Sequence, residues 1–238
     1  LDSTTIGLPR ELSHLWIGCG SQQGTNAVLK LQVRWELQTG MLEGPSLQSG
    51  RIHDRESPWQ SAPLPKGALR LADLGYFQLD LLHQWDQEGV YWLTRIQAGT
   101  LLWDAEGTLW DLASFLRAQN ASEVDIPIRL GKQERLPCRL LARRVPPDAV
   151  AARRRRLHKD AKRRGQHVSQ KRLALADWTF FATNVPKENL SLPEAFVLLR
   201  LRWQMESLFK LVMEACIPRA VKRLGASSGK CMPNCWRF

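Results

Sequence analysis

The sequence has 238 residues, 44% of them hydrophobic, and a formal net charge of +11. That much apolar surface supports a sizeable core and excludes global disorder. No apolar run approaches the ~20 residues of a membrane-spanning helix. The excess of 34 Lys and Arg over 23 Asp and Glu favours a polyanionic partner, a balance shared by ribosomal, membrane-surface and DNA-binding proteins.

The five cysteines are odd in number and scattered, with no Cys-x2-Cys pair and no zinc-type His spacing. Reduced, unpaired thiols in the cytosol fit that pattern. The chain opens on Leu-Asp without an initiator Met and without a signal peptide, and so reads as a fragment of something longer.

Residues 1–8 are predicted as a short strand ending at Pro9, with Asp2 near its start. Residues 13–26 are irregular and rich in Gly, Ser and Gln, closing in a turn at residues 24–26. Alternation through Val28, Leu29, Leu31, Val33 and Trp35 predicts a strand over 27–37, antiparallel to one at 40–47. A Pro-containing connection covers 56–65. Residues 67–72 form a compact strand with Asp73 at its C-terminal end, and 76–88 follow as an amphipathic helix carrying Phe77, Leu79, Leu81, Leu82 and Trp85. A mostly apolar strand over 90–96 completes a parallel strand–helix–strand crossover.

From Gly99 the texture changes. Strands are predicted at 100–103, 124–130 and 136–145, separated by turns at Gly107 and Gly131 and interrupted by a helix over 109–118. Residues 148–165 form a strongly basic helix, and within it the run 153–164 sets Arg153, Arg154, Arg155, Arg156, Lys159, Lys162, Arg163 and Arg164 against a single acid, Asp160. Contact with a polyanion backbone is one reading of such a run, and a merely solvated face is the other. Trp178, Phe180 and Phe181 lie in a strand over 178–184, where core packing competes with an aromatic wedge for a flipped base.

Pro193 opens the last long helix, where proline is tolerated. Two stripes run along it. Leu198, Leu201, Met205, Leu208 and Val212 make an apolar face, while Leu199, Arg202, Glu206 and Lys210 place one carboxylate between two cations. On its own the second stripe reads as a surface ladder of ion pairs, which are common and weak.

Arg-Trp-Gln-Met-Glu-Ser-Leu-Phe-Lys over residues 202–210 resembles the end of the catalytic core of DDE transposases of bacterial insertion sequences. It is closest to the branch with a Tyr-x2-Arg-x3-Glu-x6-Lys signature and a β-rich insertion. Leu-Asp-Ser-Thr-Thr at residues 1–5 and Leu-Arg-Leu-Ala-Asp-Leu-Gly-Tyr-Phe at residues 69–77 resemble the segments that carry the family's first and second carboxylates. The three motifs stand in family order.

The resemblance implies an RNase H-like mixed sheet flanked by helices, with a β-rich insertion before the last catalytic helix. Residues 1–98 would begin the core, 99–176 form the insertion with its basic helix, and 177–211 complete the core. It implies Asp2, Asp73 and Glu206 as catalytic ligands of two Mg²⁺ ions, with Mn²⁺ as a substitute. Arg202 and Lys210 would contact the phosphate of the strand being cut, beside the basic run 153–164.

The partners implied are double-stranded DNA, as terminal inverted repeats and as target, and a second copy in a DNA complex. No membrane partner is implied, and the place of action is the cytoplasm, at the nucleoid. The chain departs from the signature at Leu199, the tyrosine position, and at Met213, the final lysine position. Residues 212–238 read as an aberrant tail, as a frameshift near Val212 would produce. Two rivals stay open: a remnant that binds DNA without cutting it, and a metal nuclease without strand transfer.

Overall fold

The computed structural model describes residues 1–19, 26–202, 204, 205, 207 and 209. They divide into two compact units: Leu1–Pro63 with the described residues from Val197 on, and Leu64–Phe196. The tail, read from sequence as aberrant, lies outside the described residues.

In the first unit β1 (Asp2–Leu8), β2 (Ala27–Trp35) and β3 (Leu42–Ser49) form an antiparallel sheet in the order β1-β2-β3. Asp2 stands opposite Val33 and Ser3 opposite Gln32, so the period of two sorts the side chains by face. One face is apolar, with Val33 buried against Met205 and Phe209 and Trp35 packed alongside. The other is polar but closed. Gln32 donates to the Gln48 side-chain oxygen at 2.7 Å, and Lys30 donates to Asp54 Oδ1 at 2.9 Å and to the Ile52 carbonyl. A lysine can be buried here because a carboxylate and a carbonyl accept hydrogen bonds from its ammonium.

In the second unit β4 (Leu69–Ala72), α1 (Leu79–Gln87) and β5 (Tyr91–Thr94) make the expected crossover, with β4 and β5 parallel. The helix starts later than its apolar pattern predicts. Residues 74–76 form a 3-10 turn and Phe77 and Gln78 are extended, a break that turns both Tyr76 and Phe77 into the core. The helix ends in a Schellman motif: Gly89, at φ +72°, donates to the Asp86 carbonyl at 3.1 Å, and Val90 donates to Trp85 at 2.8 Å.

The remaining elements are β6 (Leu101–Trp103), β7 (Leu109–Asp111), α2 (Leu112–Ala118), β8 (Glu123–Leu130), β9 (Leu136–Arg144), α3 (Pro147–Arg163), α4 (Gln170–Leu175), β10 (Trp178–Thr183) and α5 (Leu192–Arg202). The helix expected over 109–118 is thus a short strand followed by a helix. Asp111 caps α2 by accepting from the Ser114 N–H at 3.1 Å, so the helix begins there, and the three residues before it pair with β6.

The strands form one mixed sheet in the order β4-β5-β10-β9-β8-β6-β7. The strands from β6 to β10 therefore continue the sheet begun by β4 and β5. Leu82 and Trp85 of α1, Leu112 and Leu116 of α2 and Leu175 of α4 join Leu102, Leu130 and Leu140 of the strands in one apolar core.

The join between β5 and β10 is short. Only Ala182 and Thr183 pair with Thr94 and Leu93. Side chains extend it: Thr183 Oγ1 donates to the Trp92 carbonyl at 2.7 Å, and Asn184 accepts from the Trp92 N–H at 2.8 Å while donating to Val90 O at 3.0 Å and to Asp86 at 2.9 Å.

Candidate active site

Asp2 is the first residue of β1 and is 3% exposed. Its carboxylate accepts the Ser3 N–H at 2.8 Å and the Arg202 Nη1–H at 3.0 Å. A carboxylate buried this deeply is stable only when charge and hydrogen bonds compensate it, and Arg202, itself 6% exposed, supplies the cation. The helix therefore does not present its faces as its pattern predicts. Leu199, Arg202, Met205 and Phe209 are buried, whereas Leu198 and Leu201 are only partly covered. Arg202 is turned inward beside buried Leu199, Met205 and Phe209, and there it meets the Asp2 carboxylate.

Ser3, on the other face of β1, donates from Oγ to Asp54 Oδ1 at 3.0 Å, and Asp54 pairs with Lys30 at 2.9 Å. These three residues brace the strand that carries Asp2. Sequence reasoning passes them over, although Lys30 is a cation in a strand read from its apolar residues.

Asp73 follows β4 directly, half-buried, with extended backbone at φ −75° and ψ 167°. Its carbonyl accepts from the Tyr76 N–H at 3.0 Å, while its carboxylate makes no capping bond to the turn that follows. Its side chain therefore does not cap that turn. Asp2 belongs to the first unit and Asp73 to the second. Glu206 and Lys210 lie outside the described residues, as does Met213; Leu199, at the signature's tyrosine position, is buried. Among the described residues no three His, Cys, Asp or Glu gather into a metal cluster. The two described acids are hard oxygen donors, the chemistry that Mg²⁺ takes.

The basic run lies on α3, opened by Pro147 at its first position. Its arginines do different things. Arg153 is partly buried and donates to the Trp178 carbonyl at 3.0 Å and to Thr179 Oγ1 at 2.9 Å; burial lowers its pKa. Arg154 pairs with Asp177 at 2.6 Å and Arg163 with Asp160 at 2.7 Å. Arg155, Arg156, Lys159, Lys162 and Arg164 are exposed and make no ion pair among the described residues. Trp178 and Phe181 are buried, with Phe181 edge-on to Phe196 at 5.4 Å between ring centres. Of the described cysteines, Cys19 is exposed and Cys138 buried, both unpaired, and burial pushes the Cys138 thiol pKa far up.

Among known proteins, the family described as "Transposase DDE domain" matches residues 1–216. The transposase for insertion sequence element IS231E of Bacillus thuringiensis subsp. finitimus is 25% identical over 229 residues, 88% of this chain and 48% of that protein. The transposase for insertion sequence element IS1151 of Clostridium perfringens is 24% identical over 229 residues, again 88% of this chain and 48% of that protein. A putative transposase, InsL for insertion sequence element IS186A of Escherichia coli (strain K12), is 26% identical over 147 residues, 59% of this chain and 37% of that protein. The chain spans about half the length of the first two. Its mixed sheet flanked by helices agrees with an RNase H-like core. With nine-tenths of its length matched in a single stretch that contains Asp2, Asp73 and Glu206 in order, the chain belongs to the DDE-domain transposase family.

Proposed function

We propose that the chain is the catalytic core of a transposase that cuts the ends of an insertion sequence and joins the freed 3′-hydroxyl to target DNA. The observation that carries this is Asp73, a half-buried carboxylate at the C-terminal end of a parallel strand pair, within a chain matched to the DDE family over residues 1–216. The carboxyl ends of such strands are where open α/β sheets bind their ligands.

Asp2, Asp73 and Glu206 would hold two Mg²⁺ ions, or Mn²⁺ in their place. Bound there, the ions would supply activation of the attacking oxygen and stabilisation of the leaving one. Arg202 orients the Asp2 carboxylate, and Arg202 and Lys210 would contact the phosphate of the strand being cut. Arginine suits a forked phosphate contact and lysine a point-charge contact. Arg202 and Glu206 fit the Tyr-Arg-Glu-Lys branch, and Leu199 and Met213 depart from it. The basic helix α3 supplies contact with the DNA backbone. Among the described residues no helix is long and apolar enough to cross a membrane. The reading places the reaction in the cytoplasm at the nucleoid, with two copies in the DNA complex.

The test uses a duplex bearing the inverted repeats that flank the gene. We expect Mg²⁺-dependent nicking at the repeat end, followed by joining to a second duplex. Both should be abolished in Asp73→Ala, with its thermal melt unchanged. Nicking that survives this substitution, or a wild-type chain that binds the duplex and leaves it whole, refutes the proposal.

A further inference from the structure

Resting on the reading that this chain acts on DNA, we propose that α3 is a rail for the sugar–phosphate backbone of duplex DNA. Arg155, Lys159 and Lys162 touch the phosphates, and Arg153 and Arg154 moor the helix to the sheet.

At 3.6 residues per turn, Val150, Arg153, Leu157 and Asp160 fall on one side of α3. All four are partly buried. Arg155, Lys159 and Lys162 fall on the opposite side, all exposed and none in an ion pair among the described residues. At a rise of 1.5 Å per residue the row is about 10 Å long. The mooring is equally specific. Arg153 holds Trp178 and Thr179, and Arg154 holds Asp177, so both guanidinium groups are turned to the start of β10.

The sheet register brings the mooring point of α3 to the end of the sheet that carries Asp73. Ala72 of β4 is level with Thr94 of β5, and Thr94 with Ala182 of β10. Because β10 runs against β4, Trp178 projects past the C-terminal end of β4, the end that carries Asp73. With strands ~4.8 Å apart and ~3.3 Å per residue along them, the mooring point lies about 14 Å from Asp73. The row lies one helix diameter, ~10 Å, beyond that point, so a duplex engaged at Asp73 has the length to reach it within one ~34 Å turn.

The chemistry of the row selects the ligand. Long cationic stems with no aromatic or amide among them read phosphates and leave base edges unread. Single strands call for stacking aromatics, and α3 carries none beyond His158.

The experiment compares the full chain with Arg155→Gln/Lys159→Gln/Lys162→Gln for binding to a labelled duplex of arbitrary sequence across a KCl series without divalent ions. The triple variant should keep the wild-type melting temperature while its slope of log affinity against log salt falls by about 2–3, at ~0.9 for each phosphate no longer neutralised. The weakening should be the same for unrelated duplexes. Arg153→Gln/Arg154→Gln should instead lower the melting temperature.

An unchanged slope in the triple variant overturns the rail, as does wild-type affinity for polyglutamate or an RNA hairpin equal to that for duplex DNA. A mooring variant that melts normally and takes the fall in slope itself reverses the assignment and overturns it too. The outcome is separable from the catalytic reading. A fall in slope of the expected size, together with a wild-type chain that never nicks, keeps the rail and removes the nuclease; nicking with an unaltered slope does the opposite.

Discussion

Asp2 and Arg202 are 200 residues apart in sequence and 3.0 Å apart in space, with side chains 4% and 5% exposed. A buried pair of this kind contributes little against an apolar replacement, yet losing one member is severe. Arg202→Ala deprives Asp2 of this guanidinium and should destabilise the first unit by about 3–5 kcal/mol. Asp2→Leu with Arg202→Met should recover most of that loss in chemical denaturation while remaining without nuclease activity. Equal melts for the single and paired substitutions would show that the pair does not govern stability. Residue identity is legible here, and partnership is not. The family motifs mark Asp2 as a ligand and Arg202 as a phosphate contact, but no spacing in the chain announces that they meet. The sequence over 198–211 has apolar residues on both of its stripes, so its pattern alone does not say that Arg202 is the residue turned toward a carboxylate.

At the scale of elements, alternation and apolar runs read well where they are long. The parallel pair β4–β5 and the strands β8, β9 and β10 fall where the sequence puts them, within a few residues. What the pattern misplaces is set by single side chains. Asp111 fixes the start of α2, and it shows in a pH-dependent way. The Ser114 hydroxyl first, and then the Ser114 N–H and the Lys171 ammonium, hold its carboxyl below the ordinary carboxylate range. A group depressed on folding stabilises the fold above its unfolded pKa of about 3.9 and stops doing so as pH falls through the lower folded value. Asp111→Ala should thus cost about 1 kcal/mol near neutrality, and the gap to wild type should narrow below about pH 4, while Asp111→Asn, which keeps a capping oxygen but loses the charge, should fall between the two. A gap that is constant down to acid pH would assign the loss to something other than the carboxylate. The side-chain splice at β5 and β10 gives a second expectation. Asn184→Ala strips partners from the Trp92 N–H and the Val90 carbonyl and should lower stability by about 1–3 kcal/mol in urea denaturation. Asn184→Asp, which keeps an acceptor but sets a carboxylate beside Asp86, should be worse.

At the scale of the molecule, family, fold class and chain order of the acids are legible because they rest on local motifs. The continuity of the sheet is not, because it depends on strand order, and β10 is last in sequence yet stands between β5 and β9. This has a consequence on the ribosome. The nascent chain releases β4 and β5, and then β6 to β9, before Trp178 exists. Until it does, the facing borders of β5 and β9 hold open rows of amide and carbonyl groups that any extended neighbour could take. The second unit is therefore knitted shut from its middle by the last strand to be made, and a chain cut short before residue 178 would carry two unpaired borders.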